Sequence, residues 1–291
     1  MKKIMALMLA GMMTVTALAG CGGSGDKKES KTEETTAAAK ATEDSAGTDD
    51  WTYIQNKGTL TVGITYFEPM NYKDADGNLT GFETEFAEAV CSELGVKPVF
   101  QEIEWDSKEL ELKSKAIDCI WNGLTITPER QENMDITVPY MENKQVIVCK
   151  QENVEKYSTA EGLKGANVVA EAGSAGEDVA TSDAFFADAN FESVEAQATA
   201  LLEVKAGTAD VAVIDYVMSI GTLRDGSDYA DLAVVEAQSF APEQYGIALR
   251  KNSGDTLIKF NEAIQAVANS GKLEEIAKKY NLTDLLLVKP A

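Results

Sequence analysis

Apolar residues recur along the chain in two periods, one typical of strands and the other of helices. Over the first part of the folded region they predict strands at 60–66, 98–103 and 119–121 and helices at 83–94 and 108–116. The first helix carries Phe86, Val90 and Leu94 at helical spacing and stops at Gly95, because glycine favours the conformation that ends helices. The β-α-β-α-β order predicts parallel strands and an α/β lobe.

A second unit of the same kind follows a strand at 144–150 that leaves the first unit. Its predicted strands lie at 167–171, 191–194 and 211–214, with one helix after the GSAG turn at 173–176 and another at 196–206. A strand at 245–249 then runs back, and helices at 255–268 and 273–280 complete the pattern. The sequence therefore predicts two α/β units joined by more than one chain crossing.

The stretch IDCIWNGLTITPER at 117–130 concentrates the chemistry of the first unit. It predicts an apolar strand that ends at Asn122 and Gly123, a small-residue loop, and a helix that Thr127 caps, with proline in its first position. Backbone N–H groups at a helix start attract anions, and the guanidinium of Arg130 suits a carboxylate. The pattern favours a site for a small carboxylate ligand; the alternative is an ordinary surface loop with an exposed arginine.

The first residues have the layout of a secretion signal. A lysine pair precedes an apolar run at 4–17, which is too short to span a bilayer comfortably. LAGC at 18–21 resembles a bacterial lipobox, which implies a lipoprotein signal peptide over 1–20 and a lipid on Cys21. The alternatives are an uncleaved anchor and an ordinary secretory signal.

Residues 21–50 are predicted to form a disordered tether. They are rich in Gly, Ser, Thr, Ala, Lys and Glu, and no aromatic residue occurs in them before Trp51, so they cannot bury enough apolar surface to order themselves. No second apolar run of about 18 residues follows, so we expect neither a permease nor a membrane-spanning kinase.

Composition excludes several classes of function. The formal net charge is −22 at pH 7, which argues against nucleic acid and anionic lipid surfaces as partners. The chain has no histidine, so the usual zinc sites, Ser-His-Asp triads and Cys-His pairs are excluded, and we expect no cofactor and no metal. Apart from Cys21, the odd set Cys91, Cys119 and Cys149 lies in apolar or helical contexts, which indicates buried thiols.

A series of motifs resembles the solute-binding proteins of polar amino-acid ABC importers, the bacterial extracellular solute-binding protein family 3. The motifs are GITYFEPM at 63–70, GNLTGFETEFA at 77–87, IDCIWNGLTITPER at 117–130, PY at 139–140, GSAG at 173–176, GTAD at 207–210, ID at 214–215, YGIAL at 245–249 and GKLEEI at 271–276. The resemblance implies an α/β, two-lobed, periplasmic-binding-protein-like fold of type II, with two chain crossings at a hinge. Lobe 1 would comprise 51–143 and 248–291, and lobe 2 would comprise 144–247.

The resemblance also implies a clamp for the two α-groups of an amino acid. Arg130 would pair with the α-carboxylate, assisted by the Thr125 hydroxyl and by backbone N–H groups near Asn122 and Gly123. Asp215, which closes an apolar strand, would bind the α-ammonium.

Two further positions complete the predicted clamp. Ser174 and Ala175 would hold the carboxylate from the second lobe; relatives usually have Thr or Ser at both positions, so at Ala175 only the backbone is expected to contribute. Asp210 begins the strand that Asp215 ends, and it is the structural alternative to Asp215.

Aromatic residues are expected to enclose the ligand. Phe67 and Trp105 match the two positions that sandwich the ligand in relatives, with core packing as the alternative for each. Trp121 lies in the middle of a strand and is assigned to the core.

Specificity is predicted only in outline. Basic-amino-acid binders often carry aspartate where Ile64 stands, which weighs against a simple Lys, Arg or His site. Glu171 lies at a pocket position and could bond an amide, hydroxyl or amino group, and its alternative is a rim carboxylate. Glu68 and Glu142 are expected nearby. We lean to a polar L-amino acid.

The resulting hypothesis is a lipid-anchored receptor on the extracytoplasmic face of the cell membrane. It would be a non-enzymatic monomer that captures a free L-amino acid and delivers it to an ABC permease. The alternatives are a sensor subunit for a membrane kinase and a dehydratase-like enzyme on the same fold.

Overall fold

The computed structural model describes residues 50–291. The predicted signal peptide, Cys21 and all but the last residue of the predicted tether lie outside the described residues. No helix within 50–291 is long and apolar enough to cross a membrane.

The core of the fold is a mixed sheet in two parts. One part, called the first half, holds β1 (Thr59–Ile64), β4 (Lys97–Glu102), β5 (Cys119–Thr125), β6 (Met134–Ile136) and most of β12 (Pro242–Arg250). The second half holds most of β7 (Met141–Lys150) together with β8 (Asn167–Glu171), β9 (Asn190–Val194), β10 (Val211–Asp215) and β11 (Leu232–Val234). The strand order is β4-β1-β5-β12-β7-β10-β8-β9, where β6 pairs with β12 and β11 with β7. A small hairpin pairs β2 (Tyr72–Lys73) with β3 (Leu79–Thr80).

Helices cover both halves of the sheet. They are α1 (Asp50–Lys57), α2 (Phe82–Leu94), α3 (Lys108–Lys113), α4 (Pro128–Asn133), α5 (Ala175–Ser182), α6 (Gln197–Ala206), α7 (Tyr216–Thr222), α8 (Gly254–Asn269) and α9 (Lys272–Lys279). As predicted, α2 stops at Gly95, whose φ of 70° lets its N–H reach the carbonyls of Cys91 and Ser92. The predicted helix at 108–116 ends earlier, at Lys113, because Lys115 adopts a left-handed φ of 64°.

Two strands pass from one half to the other and pair with each other there. Antiparallel partners run from Met141 opposite Tyr245 to Lys144 opposite Pro242. Beyond this ladder β7 pairs with β10 and β11, whereas β12 pairs with β5 and β6. The two crossings are therefore hydrogen-bonded to one another. The predicted lobe boundaries at 143/144 and 247/248 fall inside these strands and stay predictions.

The strand predicted to end at Asn122 and Gly123 runs on to Thr125, so the prediction of a loop there is wrong. Gly123 supplies a positive φ of 57° inside β5, and the pairing with β12 shifts register opposite it, between Gly246 and Ala248. Asn-Gly favours a turn in isolation, but the irregular pairing with β12 accommodates it within the strand.

The assignment of Trp121 to the core is confirmed. Trp121 is fully buried and meets the ring of Phe86 edge-on at 5.1 Å between centroids. The three cysteines of the described chain are free and buried, as predicted, and burial raises the pKa of the Cys91 thiol to about 12.

An ion-pair cluster ties the start of the described chain to the first half. Arg250 at the end of β12 donates to Asp50 of α1 at 2.7 Å and to the buried Asp118 at 3.1 Å. It also donates to the carbonyl of Ile117 at 2.6 Å. Because these charges are largely removed from water, the cluster fixes α1 against β5 and β12 more firmly than surface pairs would.

Candidate functional site

The carboxyl ends of strands from both halves meet around one narrow cavity. Such strand ends are where open α/β sheets place ligands. The cavity is lined by Trp105, Asn122, Gly123, Thr125, Arg130, Glu171, Ser174, Ala175, Gln197 and Asp215. The structure thus brings together nine of the ten predicted ligand-binding residues and adds Gln197; Phe67 is the one that does not line the cavity.

Arg130 reaches the cavity from the first turn of α4. The helix starts as predicted, since the Thr127 side chain accepts the Arg130 N–H at 3.1 Å and proline occupies the first turn. The guanidinium is only 7% exposed and donates to the Thr125 carbonyl at 2.8 Å and to the Gly173 carbonyl at 3.2 Å. Burial lowers the pKa of Arg130, but guanidinium basicity is high enough to keep it cationic. Arg130 therefore holds a buried positive charge between the two halves.

Asp215 ends β10 and faces Arg130 across the same cavity. Its carboxylate accepts hydrogen bonds from the side-chain amides of Asn143, Gln145 and Gln197. Burial raises the pKa of Asp215, while these donors oppose the rise. Neutral amides satisfy the lone pairs without cancelling the charge, so the carboxylate suits an ammonium ion. None of these three amide donors was predicted from the sequence.

Asp210, the alternative to Asp215, has a structural role at the opposite end of β10. It accepts the Tyr157 hydroxyl at 2.8 Å and the Asn167 N–H at 2.9 Å. Asp210 does not line the cavity.

Glu243 lies behind Thr125 and was also missed. The Thr125 hydroxyl donates to it at 3.1 Å, and the amides of Asn143 and Gln145 donate to it at the same distance. Burial raises the pKa of Glu243. We had expected the Thr125 hydroxyl to assist a ligand carboxylate. In this arrangement it donates its hydrogen to Glu243 instead.

A buried network supports the floor of the cavity. The Gly123 N–H donates to Glu83 at 2.8 Å, so it is already engaged and does not point to a ligand carboxylate as expected. Glu83 also accepts from Asn71 at 2.8 Å and from the Tyr140 hydroxyl, and burial raises its pKa to about 7. Nearby, the Asn122 amide donates to Thr65 at 2.6 Å. These bonds fix the backbone on which the cleft is built.

The two predicted aromatic residues differ in position. Trp105 lines the cavity and has the Lys108 ammonium 4.8 Å from its ring centroid. Phe67 is 3% exposed and does not line the cavity, and its Cζ would lie 2.8 Å from a Cβ on Gly123. Phe67 thus belongs to the apolar core cluster, and its contact with a ligand stays a prediction.

Glu171 ends β8 with a carboxyl group that is 2% exposed. Its Oε1 accepts no hydrogen bond within the described chain. Burial raises the pKa of Glu171 to about 8, and the charge of Asp215 adds to the rise. Neither of the other expected acids lines the cavity, since Glu68 pairs with Arg224 at 2.7 Å and Glu142 is exposed.

The turn before α5, in the second half, accepts hydrogen bonds from the first half. Ser174 caps α5 by accepting the Glu177 N–H at 3.1 Å, and Glu177 in return accepts the Gly173 N–H at 2.6 Å. Ala175, next in the chain, lines the cavity. Lys108 of the first half donates to the Gly173 carbonyl at 2.9 Å. Burial lowers the pKa of Lys108 to about 8, with Arg130 as the next cause.

The chemistry of this cavity is that of binding a zwitterion. Within residues 50–291 no group of three or more His, Cys, Asp or Glu side chains is arranged to hold a metal ion. A guanidinium and a carboxylate from different halves face one small buried space, and a molecule carrying both a carboxylate and an ammonium would complement them.

Known proteins share this architecture. Structures similar to this one include an ABC uptake transporter substrate-binding protein from Streptococcus pneumoniae with bound histidine, at 30% identity and a TM-score of 0.74 over 82% of this chain and 98% of that one. The ancestral amino acid-binding protein AncCDT-1, a precursor of cyclohexadienyl dehydratase, is similar at 31% identity and a TM-score of 0.71 over 79% and 98%. The similarity confirms the two-lobed α/β fold that the sequence implied.

Sequence relatives lead to the same family. The L-cystine-binding protein TcyA of Bacillus subtilis (strain 168) is 30% identical over 282 residues, which are 96% of this chain and 97% of that protein. Residues 60–283 match the family model of bacterial extracellular solute-binding proteins, family 3. The protein therefore belongs to family 3 of the bacterial extracellular solute-binding proteins.

Proposed function

We propose that the protein is an extracytoplasmic receptor that captures a polar L-amino acid between its two halves and delivers it to an ABC permease. One observation carries the proposal: Arg130 and Asp215 come from different halves and line the same buried cavity. The α-carboxylate would pair with Arg130 and the α-ammonium with Asp215. Because each half holds one end of the ligand, binding favours the closed arrangement.

The relatives support this reading. TcyA is named for binding L-cystine, and the pneumococcal structure holds histidine. One similar structure is a precursor of a dehydratase, so the fold alone does not decide between binding and catalysis. We propose binding, because the α-groups of an amino acid account for both Arg130 and Asp215, and incubation with candidate substrates should yield no product.

A thermal-shift screen of residues 22–291, the chain without the predicted signal peptide and Cys21, against the twenty amino acids, cystine and ornithine tests the proposal. A ligand at 100 times its Kd adds about 2.7 kcal/mol to the free energy of unfolding. We expect one chemically related group of amino acids to raise Tm by several degrees. A flat profile across the whole set at millimolar concentration would remove the proposed function.

We also propose that Cys21 carries the membrane anchor, because LAGC at 18–21 follows an apolar run of signal-peptide length. A single acyl chain binds membranes only reversibly, so stable anchoring requires more than one. Cys21→Ala should appear in the medium or as an unprocessed precursor when cells are fractionated. A Cys21→Ala protein that stays in the membrane fraction at its mature mass would contradict the lipid site, and Cys91→Ala serves as the control.

A further inference from the structure

We infer that Glu171 selects an amino acid with a cationic side chain, and that this side-chain charge takes the place of a proton on Glu171. The inference rests on the proposed function, because it concerns the part of the ligand beyond the α-groups.

The geometry around Glu171 carries the inference. Strands β8 and β10 are parallel neighbours, with Val168 opposite Val211 and Val169 opposite Ala212, so Glu171 and Asp215 end adjacent strands. Asp215 is supplied with amide donors, as described above. Glu171 lines the same cavity, and its Oε1 has no donor among the described residues. A buried acceptor without a donor costs about 1–3 kcal/mol, so a ligand that brings a donor to it is favoured.

The charges around the cavity favour a ligand with a net positive charge. Asp215 and Glu171 line the cavity, Glu243 and Glu83 lie directly behind its wall, and Asp178 acts on Arg130, so carboxyl groups outnumber the two cations Arg130 and Lys108. The α-carboxylate and α-ammonium of a ligand add one charge of each sign and leave this excess unchanged. A cationic side chain reduces the excess, whereas with a neutral side chain only protons on the carboxyl groups can do so.

Lys108 acts on Glu171 at a distance but forms no ion pair with it. Its two hydrogen bonds go to the backbone carbonyls of Trp105 and Gly173, at 3.2 and 2.9 Å, rather than to a carboxylate. The groups that act electrostatically on Glu171 are Asp215 from β10 and Lys108 from α3, with Gln197 of α6 as a hydrogen-bonding neighbour. With this set of neighbours, burial raises the pKa of Glu171 to about 8.

The proton balance gives a signature that does not depend on whether the free protein is open or closed. Burial and the charge of Asp215 raise the pKa of Glu171 to about 8, and a neutral side chain adds no charge that lowers it. We therefore expect Glu171 to stay mostly protonated at pH 7 in the closed complex with a neutral ligand. The closed complex with a cationic ligand holds it ionised, because the cation lowers that pKa. Both complexes start from the same free protein. The number of protons taken up must therefore differ by about one between the two ligands.

Titration calorimetry of residues 22–291 at pH 7, in two buffers of different ionisation enthalpy, measures this difference. The probes are L-arginine and L-citrulline, which have the same length and differ in side-chain charge. We expect arginine to bind about tenfold or more tightly than citrulline, since a charge-assisted bond replaces a neutral one. Citrulline should take up close to one more proton than arginine.

Glu171→Gln keeps an acceptor and adds donors, but removes the titrating charge. In this variant the affinity ratio of arginine to citrulline should fall towards one, and the difference in proton uptake should vanish. Glu129→Gln is the matched control, because Glu129 is exposed in the first turn of α4, next in the chain to Arg130 and outside the cavity. The control should leave both quantities as in the wild type.

Several outcomes overturn the inference, and they are distinguishable from failure of the proposed function. Equal affinities with equal proton uptake would reject the role of Glu171 while leaving an amino-acid receptor in place. If arginine does not fit, L-lysine and L-glutamine form the same pair, and a receptor that binds only neutral or acidic amino acids also rejects the inference. Failure to bind any amino acid would instead reject the proposed function.

Discussion

Arg130→Ala is expected to weaken amino-acid binding by about thirtyfold or more. The guanidinium is buried and would pair with a desolvated ligand carboxylate, and truncating one partner of such a pair costs roughly 2–5 kcal/mol. The lower end of that range corresponds to about thirtyfold in Kd. The variant also removes the bonds to Thr125 and Gly173, so the loss should include a faster dissociation rate.

Two further variants test whether the loss of affinity is specific to the guanidinium of Arg130. Arg130→Lys keeps the charge but lacks the planar fork, so it should recover only part of the affinity. Arg224→Ala removes an exposed cation whose pair with Glu68 is expected to contribute less than about 1 kcal/mol. Calorimetry that gives Arg130→Ala less than a threefold loss, with a Tm close to that of the wild type, would refute its assignment to the carboxylate.

Gly221→Ala is expected to hold the two halves apart. Gly221 lies in α7 of the second half, and a Cβ there would lie 2.7 Å from the Cδ and N of Pro69, which follows β1 in the first half. These are ring and backbone atoms, which cannot turn aside as a flexible side chain can. Overpacking of this kind costs about 1–3 kcal/mol, so affinity should fall by about five- to a hundredfold.

The Tm without ligand and the radius of gyration with ligand should together show that the variant affects closure and not folding. Alanine is a better helix former than glycine, so α7 itself should not be weakened and the Tm without ligand should hold. At saturating ligand, small-angle scattering should give Gly221→Ala a larger radius of gyration than the wild type. Gly254→Ala is the control, because its Cβ would meet nothing within 4 Å. A wild-type radius and affinity for Gly221→Ala would show that this contact does not limit closure.

Local signals in the sequence predicted the elements around the site well. The α4 start follows from side-chain and proline chemistry within a few residues, so Thr127 and the following proline were sufficient to place Arg130. The end of β5 was misjudged, because Asn-Gly is a turn signal by itself and only the ladder with β12 carries the strand past it.

Contacts between distant residues account for what the sequence did not reveal. Asn143 and Gln145 bond Asp215 from about seventy positions away, and neutral amides on a strand carry no pattern that marks them as its partners. Phe67 was expected at the ligand because its motif matches. Whether its ring lines the cavity depends on the strands packed around it, and the ring lies close to where a Cβ on Gly123 would be; both are tertiary properties.

The ion-pair cluster at Arg250 has a mechanical consequence. The chain enters the described region at Asp50, which Arg250 fastens to the first half, and the last helices also pack there. Any load on the preceding residues is therefore transmitted to the first half alone. The chain itself passes between the halves only through the paired crossings of β7 and β12, so the second half can move about them while Asp50 stays fixed to the first half. A probe attached ahead of Asp50 would therefore report the position of the first half, whatever the second half does.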